Sequence, residues 1–131
     1  MSNIKLFESK QVRSEWSESE QLWYFSIIDI IEILTESKRP RKYWGDLKKK
    51  ILQEGFEQLS EKIGQLKMEA SDGKKYITDV ADVKTLLRII QSIPSPKAEP
   101  FKLWLALVGS ERLEEIENPE LATKEPVNYI N

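Results

Sequence analysis

The residues best equipped for chemistry in this 131-residue chain are cations, and they crowd into one stretch. Ser37–Ile51 reads SKRPRKYWGDLKKKI and holds Lys38, Arg39, Arg41, Lys42, Lys48, Lys49 and Lys50 against one acid, Asp46. The whole chain has 20 Lys and Arg against 22 Asp and Glu, a net charge of −2, so the cluster stands against an acidic background. Cations at this density can neutralise a row of phosphates and release the counterions condensed there. An arginine near a helix N-terminus, such as Arg41, can also reach a base edge. The competing reading is a solvated amphipathic helix whose lysines pair with nearby glutamates.

Other chemistry is narrowed by composition. The chain has no histidine and no cysteine. Histidine triads, zinc-protease motifs, thiol catalysis, thiolate zinc sites and disulfides are therefore excluded. The five glycines form neither GxxxxGK[ST] nor GxGxxG. A carboxylate-only metal site could use Asp72, Asp79 and Asp82. A turn residue, a helix N-cap and a first-turn partner of the helix dipole account for the three more simply. The expectation is a protein that is not an enzyme, with no cofactor and no metal. No apolar run approaches the ~20 residues of a membrane span, and the start does not resemble a secretory signal. Together with the missing cysteines, this leads to an expectation of a cytoplasmic protein without membrane contact.

Periodicity indicates which elements position the cations. Ile4–Trp16 alternates loosely and Leu22–Phe25 is aromatic and β-favouring, so the two predict an antiparallel hairpin around the polar run Ser17–Gln21. Ser26-x-x-Asp29 predicts a helix start, followed by an apolar and buried helix that ends near Thr35–Ser37. Pro40 suits the first turn of the next helix. On a 100° wheel Tyr43, Trp44, Leu47 and Ile51 share one arc, and Arg41, Lys42, Lys48 and Lys49 the adjacent arc, with Gly45 near its middle. A glycine there would admit a close backbone or phosphate, or mark the crossing of another helix.

Gly55 closes this helix and Phe56–Ile63 suggests a short one. Gln65–Met68 and Lys75–Thr78 flank the turn signal Ser71-Asp72-Gly73, predicting a second hairpin with outward lysines. Thr78 or Asp79 is expected to cap a helix with Val80, Val83, Leu86, Leu87 and Ile90 as its buried stripe. After the loop around Pro94 and Pro96, a last helix begins near Pro100 with Phe101, Trp104, Leu105 and Val108 inward. Leu103 and Leu107 are expected to widen that stripe, Gly109 to weaken or bend the helix, and Glu111–Glu117 to form an acidic end. The expected fold is α+β: two β-hairpins forming a small antiparallel sheet, packed with about four to five α-helices in a single compact domain. The domain is expected at 1–117, with a flexible tail at 118–131.

Three segments also resemble a known family. They are WYFSIIDIIEILTESKRPRKYWGDLKKKI at Trp23–Ile51, QLKMEASDGKKYITD at Gln65–Asp79 and LLRIIQSIPSPKAEPFKLWLALVGSERLEEIENPELA at Leu86–Ala122. They resemble the Bro-N family, the N-terminal domains of baculovirus repeated-ORF proteins, phage antirepressors and the bacterial DNA-damage-inducible protein D. The third segment is similar to the damage-inducible branch. The resemblance implies an α+β domain that binds DNA, double-stranded by expectation, in prophage or DNA-damage regulation. The alternative it implies is a protein-interaction module that binds a repressor or a DNA-repair protein. It carries over no catalytic residue. The matching basic positions are Arg39, Arg41, Lys42, Lys48, Lys49, Lys74, Lys75 and Arg88. Family members generally continue past ELA into a second region, whereas this chain reads TKEPVNYIN, so a short form or a fragment is expected.

Overall fold

The computed structural model describes residues 2–55 and 58–117, with side chains described for 4–55 and 58–110. The expected tail, Phe56 and the acidic side chains of 111–117 lie outside the described residues. The chain is α+β, as expected: a five-stranded antiparallel sheet with five helices. The strands are β1 (Ser2–Phe7), β2 (Lys10–Ser17), β3 (Leu22–Ser26), β4 (Gly64–Glu69) and β5 (Lys75–Ala81), in sheet order β1-β2-β3-β5-β4. The helices are α1 (Ile27–Thr35), α2 (Pro40–Gln53), α3 (Gln58–Lys62), α4 (Val83–Ile90) and α5 (Ala98–Glu117).

The N-terminal part is a three-stranded meander where a single hairpin was expected. Glu8 and Ser9 form a two-residue turn with φ of 49° and 70°. Positive φ at both central positions is the type I′ pattern, whose twist matches the flanking strands. Neither residue is Gly, Asn or Asp, so the sequence carries no turn signal here. Alternation then sorts the sheet. Phe7, Val12, Trp16, Trp23, Phe25 and Ala81 join one core cluster with Ile27, Ile31, Trp44, Leu86, Phe101 and Leu105 of the helices. Phe7 meets Phe101 edge-on at 4.9 Å between ring centroids, which fastens α5 to the edge strand β1.

The start of α1 is fixed twice. Ser26 Oγ accepts from the Asp29 N–H at 3.3 Å, the N-cap that the spacing predicts. Asp29 in turn takes Nε and Nη2 of Arg13, each at 2.9 Å, one on each carboxylate oxygen. It also accepts the Arg13 backbone N–H at 2.9 Å. Ser14 is paired with Phe25, just before β3 gives way to α1, so Asp29 stands in for the strand partner that Arg13 has lost. The guanidinium reaches further, to Glu69 O at the end of β4 at 3.1 Å. One residue thus ties β2, α1 and β4.

Two expectations at the C-terminal half are corrected. β5 continues through Asp79 and Val80 to Ala81, and Asp82 is the cap of α4, its Oδ1 accepting from Thr85 N at 2.9 Å. Both Asp79 and Asp82 suit a cap. The pairing of Val80 with Gly64 and of Ala81 with Phe25 keeps the earlier one in the sheet. On α5, Phe101, Leu105 and Val108 are buried as expected, but Leu103 and Leu107 are 76% and 64% exposed. They lie about one turn apart on the solvent side, outside the 100° stripe the core requires.

Placing Asn-Gly at positions 8 and 9 relieves two residues of a left-handed backbone that L side chains resist. The variant Glu8→Asn/Ser9→Gly is expected to gain about 1 kcal/mol in urea unfolding, with an unchanged slope. A lower midpoint would contradict the turn assignment.

Candidate nucleic-acid interface

α2 is seated by its expected arc. Trp44, Leu47 and Ile51 are buried and Tyr43 is half-buried. Pro40 opens the first turn. The rotation of the helix about its own axis is set by Asp79, in the middle of β5. Trp44 Nε1 donates to Asp79 Oδ2 at 2.8 Å, and Lys48 Nζ to the same oxygen at 3.3 Å. Gln65 Nε2 donates to Oδ1 at 3.1 Å from the neighbouring strand. The Lys48 ammonium also lies 5.6 Å from the centroid of the Trp44 ring. Burial pushes the Asp79 carboxyl up, but the donors Trp44 and Gln65 and the charge of Lys48 outweigh it and hold it below the ordinary carboxylate value.

The other two carboxylates of the conceivable metal set are engaged locally. Asp82 caps α4. Asp72 accepts from Lys74 N at 2.9 Å and from Tyr76 Oη at 2.6 Å. The Tyr76 bond holds Asp72 below its usual range, and the same bond raises the Tyr76 phenol, with Arg41 acting in the opposite direction. Arg41 is therefore within electrostatic reach of Tyr76. α2 meets β5 at Asp79, through Trp44 and Lys48.

The eight basic positions expected at the site fall into distinct settings. Arg39, Arg41 and Lys49 are exposed, and none has an ion-pair partner among the described residues. Lys42 pairs with Asp46 one turn on, at 3.1 Å. Lys48 is already held by Asp79, which makes it a positioning residue of the helix. Lys74 and Lys75 are exposed at the ribbon tip. Arg88 is on α4, whose main neighbours are α5 and β3, and its Nη1 donates to Gln91 Oε1 at 3.3 Å. The structure thus brings α2 and the ribbon together, and places Arg88 on a separate element.

Lys67 was not among the expected site residues. It is exposed on β4, two residues from Gln65 and therefore on the face that meets α2. The lysine alternation of this strand is visible in the sequence. Which face meets α2 follows only from the Asp79 contacts.

Two helical glycines have opposite reasons. A Cβ at Gly109 would lie 2.3 Å from Val83 Cγ2, so this glycine permits the close approach of α4 and α5. The helix runs through it to Glu117. A Cβ at Gly45 would meet no atom within 4 Å. Among the described residues no other helix crosses there, which removes the packing explanation. The saddle at Gly45 opens between the Arg41 and Lys49 sides of α2.

The opposite side of the sheet carries a cleft in which acids outnumber bases. Open beside Leu66 and Val80, it is lined by Glu15, Glu20, Glu61 and Asp82, with Lys62 as the cation among its lining residues. Tyr24 Oη donates to Glu20 there at 2.5 Å, and that bond is the main reason its phenol is pushed up to about 12.

A model of the BRO family, N-terminal domain, matches residues 11–114. No curated protein and no solved structure matches the chain.

Asp79→Ala leaves the buried Trp44 indole and the Lys48 ammonium without their acceptor, and is expected to cost about 1–3 kcal/mol at neutral pH. The contribution of a carboxylate with a lowered folded-state pKa is complete above its unfolded value of 3.8. It is lost as the pH falls through the lower folded value, so wild type and variant should converge in acid. A gap independent of pH would contradict this account. In thermal unfolding, Gly45→Ala is expected to stabilise by about 0.5–1 kcal/mol and Gly109→Ala to destabilise by about 1–3 kcal/mol.

Proposed function

The chain belongs to the BRO family through its N-terminal domain, and on that premise we propose that it is a DNA-binding regulatory domain. In this reading it is of prophage antirepressor or DNA-damage-inducible type, works in the cytoplasm, and acts by binding without catalysis. The observation that carries the reading is the division of α2. Its apolar arc is buried, while Arg39, Arg41 and Lys49 stand exposed without ion-pair partners beside the open saddle at Gly45. A mid-helix glycine costs about 1 kcal/mol relative to alanine, and here no packing contact offsets it. Close access for a phosphate backbone would.

The cations take different parts in this proposal. Arg39, Arg41 and Lys49 contact phosphates directly. Lys42 joins them when its surface pair with Asp46 opens, which costs little in water. Lys48 holds the helix in place. Lys74 and Lys75 assist from the ribbon tip, and Arg88 extends the basic surface from α4.

A second reading rests on Leu103 and Leu107. An exposed pair of leucines about one turn apart suits the docking of a repressor or a DNA-repair protein on α5. The two readings separate in one set of measurements. Duplex DNA is titrated at salt concentrations from about 50 to 200 mM. Binding that weakens steeply with salt supports the first, and Arg41→Gln/Lys49→Gln should then lower the slope of log K against log salt by about 2. No retardation at the lowest salt, with a protein partner retained from lysate after nuclease treatment, supports the second.

A further inference from the structure

Strand alternation puts Gln65, Lys67, Glu69, Lys75, Ile77 and Asp79 on one face of the β4–β5 ribbon. At its base this face is covered, because Asp79 bonds to Trp44 and Lys48 of α2. One strand pair further out it is open. Ile77 is 60% exposed there, directly opposite the exposed Lys67. An isoleucine on the covered side of a ribbon, left bare just past the edge of a helix, is not core and does not cap the turn. Lys67 and Lys75 stand on the ribbon beside it. The carboxylates of this face are Asp79, which is already bonded, and Glu69, which lies opposite Lys75. Asp72 is occupied within the turn by Lys74 N and Tyr76 Oη. What remains is a strip of ribbon face with the exposed Ile77 between the exposed Lys67 and Lys75.

We propose that this strip holds a sugar–phosphate strand of DNA, with Ile77 against the sugars and Lys67 and Lys75 on the phosphates. The duplex is then gripped by two elements, helix and ribbon, and the sites at Lys67 and Ile77 are additional to the basic helix. This rests on the DNA-binding reading above. The chemistry favours a nucleic-acid strand because it alternates apolar sugar with regularly spaced charge, and the strip offers both side by side. An acidic peptide shares only the charge, and leaves Ile77 unused.

The test uses the full chain and a duplex DNA probe, with two ribbon variants. Ile77→Thr keeps a β-branched residue at an exposed position, and Lys67→Gln removes only a charge, so both should melt like the parent. If the strip is occupied, Ile77→Thr weakens binding about fivefold at every salt concentration with the salt slope unchanged. Lys67→Gln lowers that slope by about 1. If both variants bind like the parent while Arg41→Gln/Lys49→Gln is impaired, the ribbon contact is refuted and the helix reading stands. If the parent binds no duplex at low salt, both readings fall together. If Ile77→Thr is silent and only Lys67→Gln has an effect, the apolar contact is refuted and the ribbon is a charged surface alone.

Discussion

A single carboxylate in the middle of β5 decides which way the basic helix faces. Asp79 takes three donors from two directions, and the tightest is the indole N–H of the buried Trp44. A buried donor of this kind must find an acceptor or forfeit the cost of leaving water. Once Trp44 is directed at Asp79, the other side chains of α2 have no freedom to rotate around the axis. Lys48 lies next to the carboxylate, Arg41 follows about two turns toward the helix N-terminus, and Arg39, Lys42 and Lys49 are exposed. The apolar arc alone would hold the helix down but would tolerate some roll. The hydrogen bond removes that tolerance.

Arg13 and Asp29 serve the other side of the sheet in the same manner. They mend the place where a strand becomes a helix, since a sheet that loses a partner leaves a backbone N–H exposed. Because the guanidinium continues to Glu69 O, the far end of β4 is tied to β2 as well. Beyond the pairing of β5 with β3 at Val80 and Ala81, the ribbon is held at two points, by Arg13 near its tip end and by Asp79 near its base. That accounts for how a two-stranded element, weak alone, keeps a defined position beside α2.

What could be read from the sequence was what depends on neighbours along the chain. The Ser26 cap, the proline at the start of α2, its anchoring arc and the Asp72-Gly73 turn rest on residue types at fixed offsets, and these signals are strong. The family likeness was legible for the same reason. Most of the misreadings involve partners distant in sequence. Asp79 and Asp82 are equivalent as caps until the strand register separates them. Gly109 looks like a helix weakness until Val83 stands against it. Leu103 and Leu107 look like core until α5 is laid on the sheet. Lys48 looks like its neighbours Lys49 and Lys50 until a carboxylate 31 residues away takes it up. The Glu8–Ser9 turn differs, because it is local and still silent: the strands impose a backbone that its own residues do not favour.

The separation of charge across the sheet has a kinetic meaning. The chain carries −2 overall, with its densest group of cations on and just before α2 and a mostly acidic cleft on the other face of the sheet. Such a molecule is an electrical dipole with little net attraction for a polyanion at long range. Within about 8 Å, the screening length at physiological salt, the field exerts a torque that turns the basic side forward. For the duplex proposed as its ligand, encounters through the acidic cleft would be repelled and separate quickly. In that reading the acidic surface acts on the path of approach: it would shorten the lifetime of misoriented collisions and leave the orientation with the basic helix forward as the one that persists.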